Sequence, residues 1–456
     1  VNIMGSLFRR QRPMASVLWT HSGHSGPPWR RVRRSGARRR GGERPTSGVA
    51  LVLPVTKIQL TRRVRLNREG VPMKAIICGA GISGLSAAAF LDRAGWDVVV
   101  VEQADGPRPQ GYMIDFFGPG WQAANALGIV HRIRELGYRV ERLEYVDSRG
   151  NARATLSLAK LSRIAKGEFV SILRPDLELA IREALPHRVD LRYGRTVVAV
   201  GQGRASVTAT LDDNAVLEAD LLIGADGIHS VVRELVFGPE EEFFHYLGFQ
   251  VGAYSFRDWD VAAQIGDRFA VTDTRNEAMF FYRLRDGRIT AMAVHRSDDA
   301  ALPEDQQAML RSRYRNLGWI CPAALRQCPK DFYYDQVAQI RMERWHTNRV
   351  VLLGDAAAAV SLLAGQGASL GMAAAFVLAD ELMTGADLRQ ALDTFETRIR
   401  PSVSASQEAG VSAAQWFVPA TRYAALMRRT MIRLEGIPGM ERLISSALIG
   451  KSGAAL

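Results

Sequence analysis

The sequence predicts an α/β fold: a Rossmann-like nucleotide-binding domain, an inserted β-sheet domain and a helical C-terminus. Three observations carry this. From Met73 the chain reads MKAIICGAGISGLSAAAFLDRAGWDVVVVE: an apolar run, a glycine-rich turn, a helical stretch and a second apolar run. Residues 243–300 hold the strand-like runs FFHYLGFQVGAYSF, FAVTDT, AMFFYRL and ITAMAVH, separated by turn signals such as RDGR. Residues 402–456 read as helices with Arg on one side and Leu, Ile and Met on the other. At 456 residues, 47% hydrophobic and 23% charged, the chain has the composition of a globular protein with a sizeable core.

Each element can be justified in order. Residues 1–72 stand apart. Fifteen arginines and Lys57 against Glu43 and Glu69 give them a net charge of +14, so of the chain's +12 the remainder carries −2. The body therefore lacks the basic surface that nucleic acid requires. WRRVRRSGARRRGGERP has little apolar periodicity, so 1–72 is expected to be a disordered basic extension. Three readings of it stay open: an Arg-rich, acid-poor transit peptide, a nucleic-acid-binding arm, or an over-long translation whose native start is Met73. The opening Val and the place of Met73 just before the first strand favour the last. Cys78, Cys321 and Cys328 have no metal-binding spacing, and the eight histidines form no HxH or HExxH pattern, so no metal site is expected. Few, unpaired cysteines suit a reducing compartment, and the expected location is cytoplasmic.

In the first motif each residue type has a physical reason. AIIC reads as a buried parallel strand. Gly79 permits the tight turn, Gly81 lets a pyrophosphate approach the backbone, and Gly84 lets helix and strand pack closely. Ala80 and Ser83 complete the turn. The helix N-terminus offers unpaired N–H groups and its dipole to the phosphates. Glu102, 18 residues past Gly84, closes DVVVVE and can accept hydrogen bonds from an adenosine ribose. A carboxylate there favours NAD or FAD over NADP. A glycine-rich turn alone is weak, but strand, helix and terminal acid together point to a dinucleotide.

Two later motifs narrow the choice. DLLIGADGIHSVVR (220–233) is a strand, the Asp226-Gly227 turn, and a helix opened by Ser230 and carrying Arg233. VVLLGDAAAAVSLLAGQGASLGMAAAFVLADEL (350–382) is so apolar that a hydropathy window flags it as a membrane span. Gly354, Gly365, Gly367 and Gly371 would make a poor spanning helix, and Asp355 is costly in lipid. A strand, a loop and a buried helix fit better. With GxGxxG and a distal Glu, then DG, then GD, in this order and spacing, the chain resembles the para-hydroxybenzoate hydroxylase-like, FAD-dependent aromatic monooxygenases over nearly all of residues 73–400. Arg174 in SILRPDLELAIREAL matches that family's Arg before a helix, and LDTFETRIRP matches its segment after the GD helix.

The resemblance implies FAD, held by Gly79, Ala80, Gly81, Ser83, Gly84, Glu102, Arg174, Asp226, Gly354, Asp355, Gly365, Gln366, Gly367, Ala368 and Ser369. It implies that Asp355 binds the ribityl hydroxyls. The backbone N–H groups of Gly367, Ala368 and Ser369 would meet the flavin N1–C2=O edge, where a helix N-terminus stabilises the charge of reduced flavin. It further implies NAD(P)H as a transient co-substrate, since no second GxGxxG follows a strand. O2 and a small aromatic molecule would be the other partners, with hydroxylation through a flavin C4a-hydroperoxide. The flavin carries the chemistry, and no side chain is assigned as catalytic. The sequence departs from the family at Ala358, usually His, at Ser361 and Leu362, usually Pro-Pro beside the flavin C4a edge, and at Ser369, usually Asn. On this reading 73–242 and 345–384 form the FAD-binding domain, 243–344 the substrate domain, and 385–456 the helical C-terminal region.

Some side chains stay ambiguous. Tyr112, Phe116 and Phe117 either line the way to the substrate or pack in the core. Phe249, Tyr254, Phe256 and Tyr282 face either a flat aromatic ligand or the helices behind. The C-terminal helices either pack on the body or lie on a membrane surface. Two other functions remain open: an FAD-dependent dehydrogenase or oxidase, which the altered Ser361-Leu362 loop allows, and nucleic-acid binding through the basic extension.

Overall fold

A computed structural model describes residues 70–108, 111–157 and 167–434. The readings made for the basic extension, and for the chain beyond residue 434, lie outside these residues.

The run AIIC is apolar because it becomes a central strand, Lys74–Cys78, covered on both faces. The spatial order of its sheet is His346–Thr347, Val350–Leu352, Leu221–Gly224, Lys74–Cys78, Asp97–Glu102 and Asp190–Tyr193. Every pairing is parallel except that of His346–Thr347 with Val350–Leu352. The glycine-loop helix, Ile82–Arg93, packs on the GD helix, Gly367–Met383, with Phe90 and Phe376 rings 5.2 Å apart. The two helices approach this closely because Gly371 has no side chain. A β-carbon there, or at Gly354, would lie 2.2 Å from Ser83 Oγ. The segment 350–382 is thus a strand, a short helix Asp355–Ala358, a 3-10 turn Leu362–Ala364 and a buried helix. No helix among the described residues is long and apolar enough to cross a membrane.

A second sheet has seven strands, in the order Tyr333–Ile340, Phe244–Phe256, Ile289–Arg296, Glu277–Arg283, Phe269–Thr274, Arg142–Val146 and Ala152–Ser157. Its last two strands come from well before residue 243. On one face Tyr254 and Phe256 pack among Leu310, Tyr314, Ile320 and Leu325 of the helices behind, and Tyr254 donates to Ala324 O at 2.9 Å. Phe249 lies on the opposite face, with Tyr145, Val271 and Phe280. A strand alternates faces, so residues 249 and 254 could not share one. A separate two-stranded ladder pairs Met113–Phe117 with Phe169–Leu173.

The long helix Leu388–Phe417 runs through Pro401 without stopping. After it, Arg422–Arg433 packs on the second sheet: Arg428 and Arg429 both donate to the buried Asp273. The α/β class expected from the sequence is the one found, with helices following the last strand.

Candidate cofactor and substrate site

The glycine loop leaves the central strand at Gly79, whose φ of 104° is open to glycine and strained for other residues. A β-carbon on Gly79 would sit 2.4 Å from Ala225 O, and one on Gly84 would sit 1.9 Å from Gly79 O. At Gly81 the nearest atom would be Arg174 Nη2, at 3.3 Å. Space above Gly81 is thus bounded by a flexible guanidinium rather than by backbone. The helix that follows has Gly81 as its N-cap and no side-chain cap, so its positive end is left for a ligand's phosphate. Glu102 accepts from Ala80 N at 2.8 Å and Ala104 N at 2.9 Å, which fixes the carboxylate at the lip of the loop. Arg174 is braced by Glu178 at 3.0 Å, and its N–H donates to Tyr112 O. These features fit an extended dinucleotide.

The DG motif works by capping. Asp226 accepts from Ser230 Oγ at 2.6 Å and Val232 N at 3.0 Å, and burial pushes its carboxyl up while those bonds oppose the shift. Arg233, fully buried, donates to Ala356 O at 3.1 Å and to Ile228 O at 2.7 Å, tying the DG helix to the short helix Asp355–Ala358 of the GD motif. In the GD motif, burial raises the Asp355 carboxyl and the Arg174 charge opposes this. The helix Gly367–Met383 also starts without a side-chain cap.

Three cavities adjoin. The first holds Gly79, Ala80, Gly81, Glu102, Arg174 and Asp226 in its walls. The second shares Gly81 and Arg174 with it and adds Ser83, Asp355, Ser361, Leu362, Gly365, Gly367 and Ala368. The third shares Tyr112, Leu362 and Gly365 with the second and is otherwise mostly apolar, with Phe117, Tyr145, Phe169, Phe269, Phe280, Leu363 and Phe417. Of the predicted residues, Gly84, Gly354, Gln366 and Ser369 line none of the three. They stand behind the walls: Ser369 Oγ accepts from Phe117 N at 3.4 Å, and Gln366 Oε1 accepts from Ser406 Oγ at 2.8 Å. Tyr112 and Phe117 line the third cavity, whereas Phe116 is core. Burial pushes the Tyr112 hydroxyl up to about 12, so it stays protonated. Tyr282 does not line this cavity; its hydroxyl accepts from Met113 N at 2.7 Å.

Sequence reasoning missed several groups. His229 lies 2.9 Å from Glu240 and 3.5 Å from Asp335, and the bond to Asp335 is the main reason its pKa rises to about 9. Its only sequence signal was a place inside the DG motif. Asp335 and Tyr333 gave none. No group of acidic, His and Cys side chains among the described residues could hold a metal ion.

With this geometry in hand, comparisons agree. A family model described as an FAD binding domain matches residues 72–409. A flavin-dependent monooxygenase from an unknown prokaryotic organism is 30% identical over 356 residues, spanning 76% of this chain and 90% of its own length. The crystal structure of the tetracycline destructase Tet(55) superposes with a TM-score of 0.69 at 26% identity, covering 80% of this chain and 96% of that one. Klebsiella pneumoniae HpxO, complexed with FAD and uric acid, superposes at 0.68 with 23% identity, over 84% of this chain and 97% of its own, a likeness of fold. The match of the FAD-binding model over residues 72–409 and the 30% identity to a flavin-dependent monooxygenase agree with the cleft's βαβ cradle, DG cap and GD helix, and this chain belongs to the FAD-binding family of para-hydroxybenzoate hydroxylase-like monooxygenases as an FAD-dependent oxidoreductase.

Proposed function

We propose that the enzyme uses NAD(P)H and O2 to hydroxylate an aromatic or polycyclic small molecule. The observation that carries this reading is the run of three adjoining cavities, from the glycine loop to an apolar chamber, each sharing wall residues with the next. A dinucleotide laid along the first two would bring its reactive end to Leu362 and Gly365, at the mouth of the third.

When bound, FAD supplies the redox and oxygen chemistry. The chain's residues bind and orient. Gly79 and Gly81 with the helix N-terminus would take the pyrophosphate, Gly84 letting the helix approach the turn, and Glu102 would take the adenosine ribose. Asp355 takes the ribityl hydroxyls. The N–H groups of Gly367, Ala368 and Ser369 offer positive partial charge to an anion at the flavin end. Phe117, Phe169, Phe269 and Phe280 keep water from the reacting ring. NAD(P)H binds transiently, so its oxidation is slow until a ring fills the third cavity.

Turnover under isotope-labelled O2 with a panel of phenols and polycyclic enols tests this. One labelled oxygen in the product is expected, with NAD(P)H oxidation rising about tenfold or more on adding the right ring, near 1.4 kcal/mol in barrier. An unlabelled product, with all consumed O2 recovered as peroxide, would reject the reading in favour of an oxidase.

A further inference from the structure

Among the described residues, the lining of the third cavity has one acidic side chain and no Lys, Arg or His. That acid is Asp115. It lies in the strand Met113–Phe117, directly across the ladder from Ser171. Met113, Asp115 and Phe117 all line the cavity, while Phe116 is buried in the core. Ser171 Oγ donates to Asp115 Oδ1 at 2.6 Å. The second carboxylate oxygen accepts no hydrogen bond from any described side chain or backbone group, and it is not a sealed buried atom. Burial raises this carboxyl, with the Ser171 bond opposing. A carboxylate facing an apolar chamber without a cationic partner costs folding free energy, so a purely structural role would be better served by a hydrophobic residue.

We propose that Asp115, backed by Ser171, is the residue that reads the substrate: the ring taken by the third cavity carries a hydroxyl or amino hydrogen-bond donor and no carboxylate. This rests on the reading of that cavity as the substrate chamber. The open oxygen accepts the donor. An anionic substituent would meet a like charge in low dielectric, with no cation among the described lining residues to offset it. A ring without a donor would leave the carboxylate desolvated and unpaired.

Equilibrium dialysis on the FAD-loaded protein, with naphthol, naphthylamine, naphthalene and naphthoate as probes, decides the matter. Naphthol and naphthylamine should bind about tenfold or more tightly than naphthalene, and naphthoate weakest of all. In Asp115→Leu the gap between naphthol and naphthalene should close while FAD content is kept, and Asp115→Asn should narrow it. Naphthoate binding as tightly as naphthol, naphthol binding no better than naphthalene, or a gap that survives Asp115→Leu would each overturn the proposal. If the variants do not fold, the wild-type affinity order alone decides. Failure of the monooxygenase reading is separate: it would appear as no labelled oxygen in any product, whatever the affinity order. An enzyme that hydroxylates carboxylated rings in preference would sink the role of Asp115 and leave the monooxygenase reading intact.

Discussion

Three glycines within six residues differ in what a β-carbon would meet. At Gly79 and Gly84 it meets backbone, 2.4 Å and 1.9 Å away, and Gly79 also has a positive φ. At Gly81 it meets only the end of Arg174. Gly79→Ala and Gly84→Ala should therefore destabilise the apoprotein, by about 2 kcal/mol or more in urea titrations. Gly81→Val should leave the apoprotein melt near wild type and lose FAD, read by flavin fluorescence after heat release. If all three lowered the apoprotein melt alike, the distinction would fail. Asp355→Ala should weaken FAD binding by about 1–3 kcal/mol, the scale of lost charge-assisted bonds. His229 gives a pH signature. Its folded pKa of about 9 lies above the usual histidine value. Its stabilisation is thus fully present below about 6.5 and lost as pH rises through 9, reduced by its half-exposure. The stability difference between wild type and His229→Gln should shrink between those limits, and a flat difference would contradict the pairing with Asp335. The places of Gly79, Gly81, Glu102 and Asp355 in the cavity walls could be anticipated because each sits in a local motif whose spacing is the geometry. Asp115 with Ser171, and His229 with Asp335, were not, because their partners lie far along the chain and meet only through sheet topology.

Among elements, the long helix Leu388–Phe417 holds the loop between the GD turn and the GD helix. Gln407 Nε2 donates to Ile340 O at 2.8 Å and Ala359 O at 3.1 Å, and Gln339 Nε2 donates to Val360 O at 3.0 Å. Gly410 lets the helix touch this loop: a β-carbon there would lie 2.5 Å from Val360 O. Gly410→Ala should displace the loop and raise the fraction of NAD(P)H oxidation lost as peroxide, with FAD content unchanged. An unchanged peroxide fraction would show the loop does not set the coupling. The absent Pro-Pro has a physical reason as well. Ser361 has a φ of 112°, which proline, fixed near −65°, does not reach. Restoring Pro at 361 would rebuild the loop rather than tune it. The sequence showed that the pair was missing but not this dihedral, which depends on what packs around it. The same gap hid the continuity of the helix through Pro401, which local propensity would break.

Across the whole molecule, the last described helix is fastened by charge. Asp273 is buried and accepts from Arg428 and Arg429, and the Arg428 guanidinium lies 4.2 Å from the centre of the Tyr145 ring. Asp273→Asn leaves a buried guanidinium without its counter-charge and should cost about 3–5 kcal/mol by urea denaturation. A loss below about 1 kcal/mol would mean that water reaches the pair. Because Tyr145 and Phe417 both line the third cavity, the same variant should also loosen ring binding.

The shared walls of the cavities have a thermodynamic consequence. Tyr112, Leu362 and Gly365 belong at once to the chamber assigned to the flavin end and to the chamber assigned to the ring. Two occupants that touch the same side chains are coupled, and equilibrium coupling is reciprocal. Whatever factor a ring ligand adds to the affinity for FAD, FAD must add to the affinity for the ring. Titrating the apoprotein with FAD at zero and saturating ligand, then reversing the roles, should return one ratio. A ratio above unity would make substrate scarcity a cause of flavin loss: diluted away from its ring, the enzyme would shed its cofactor sooner than its fold.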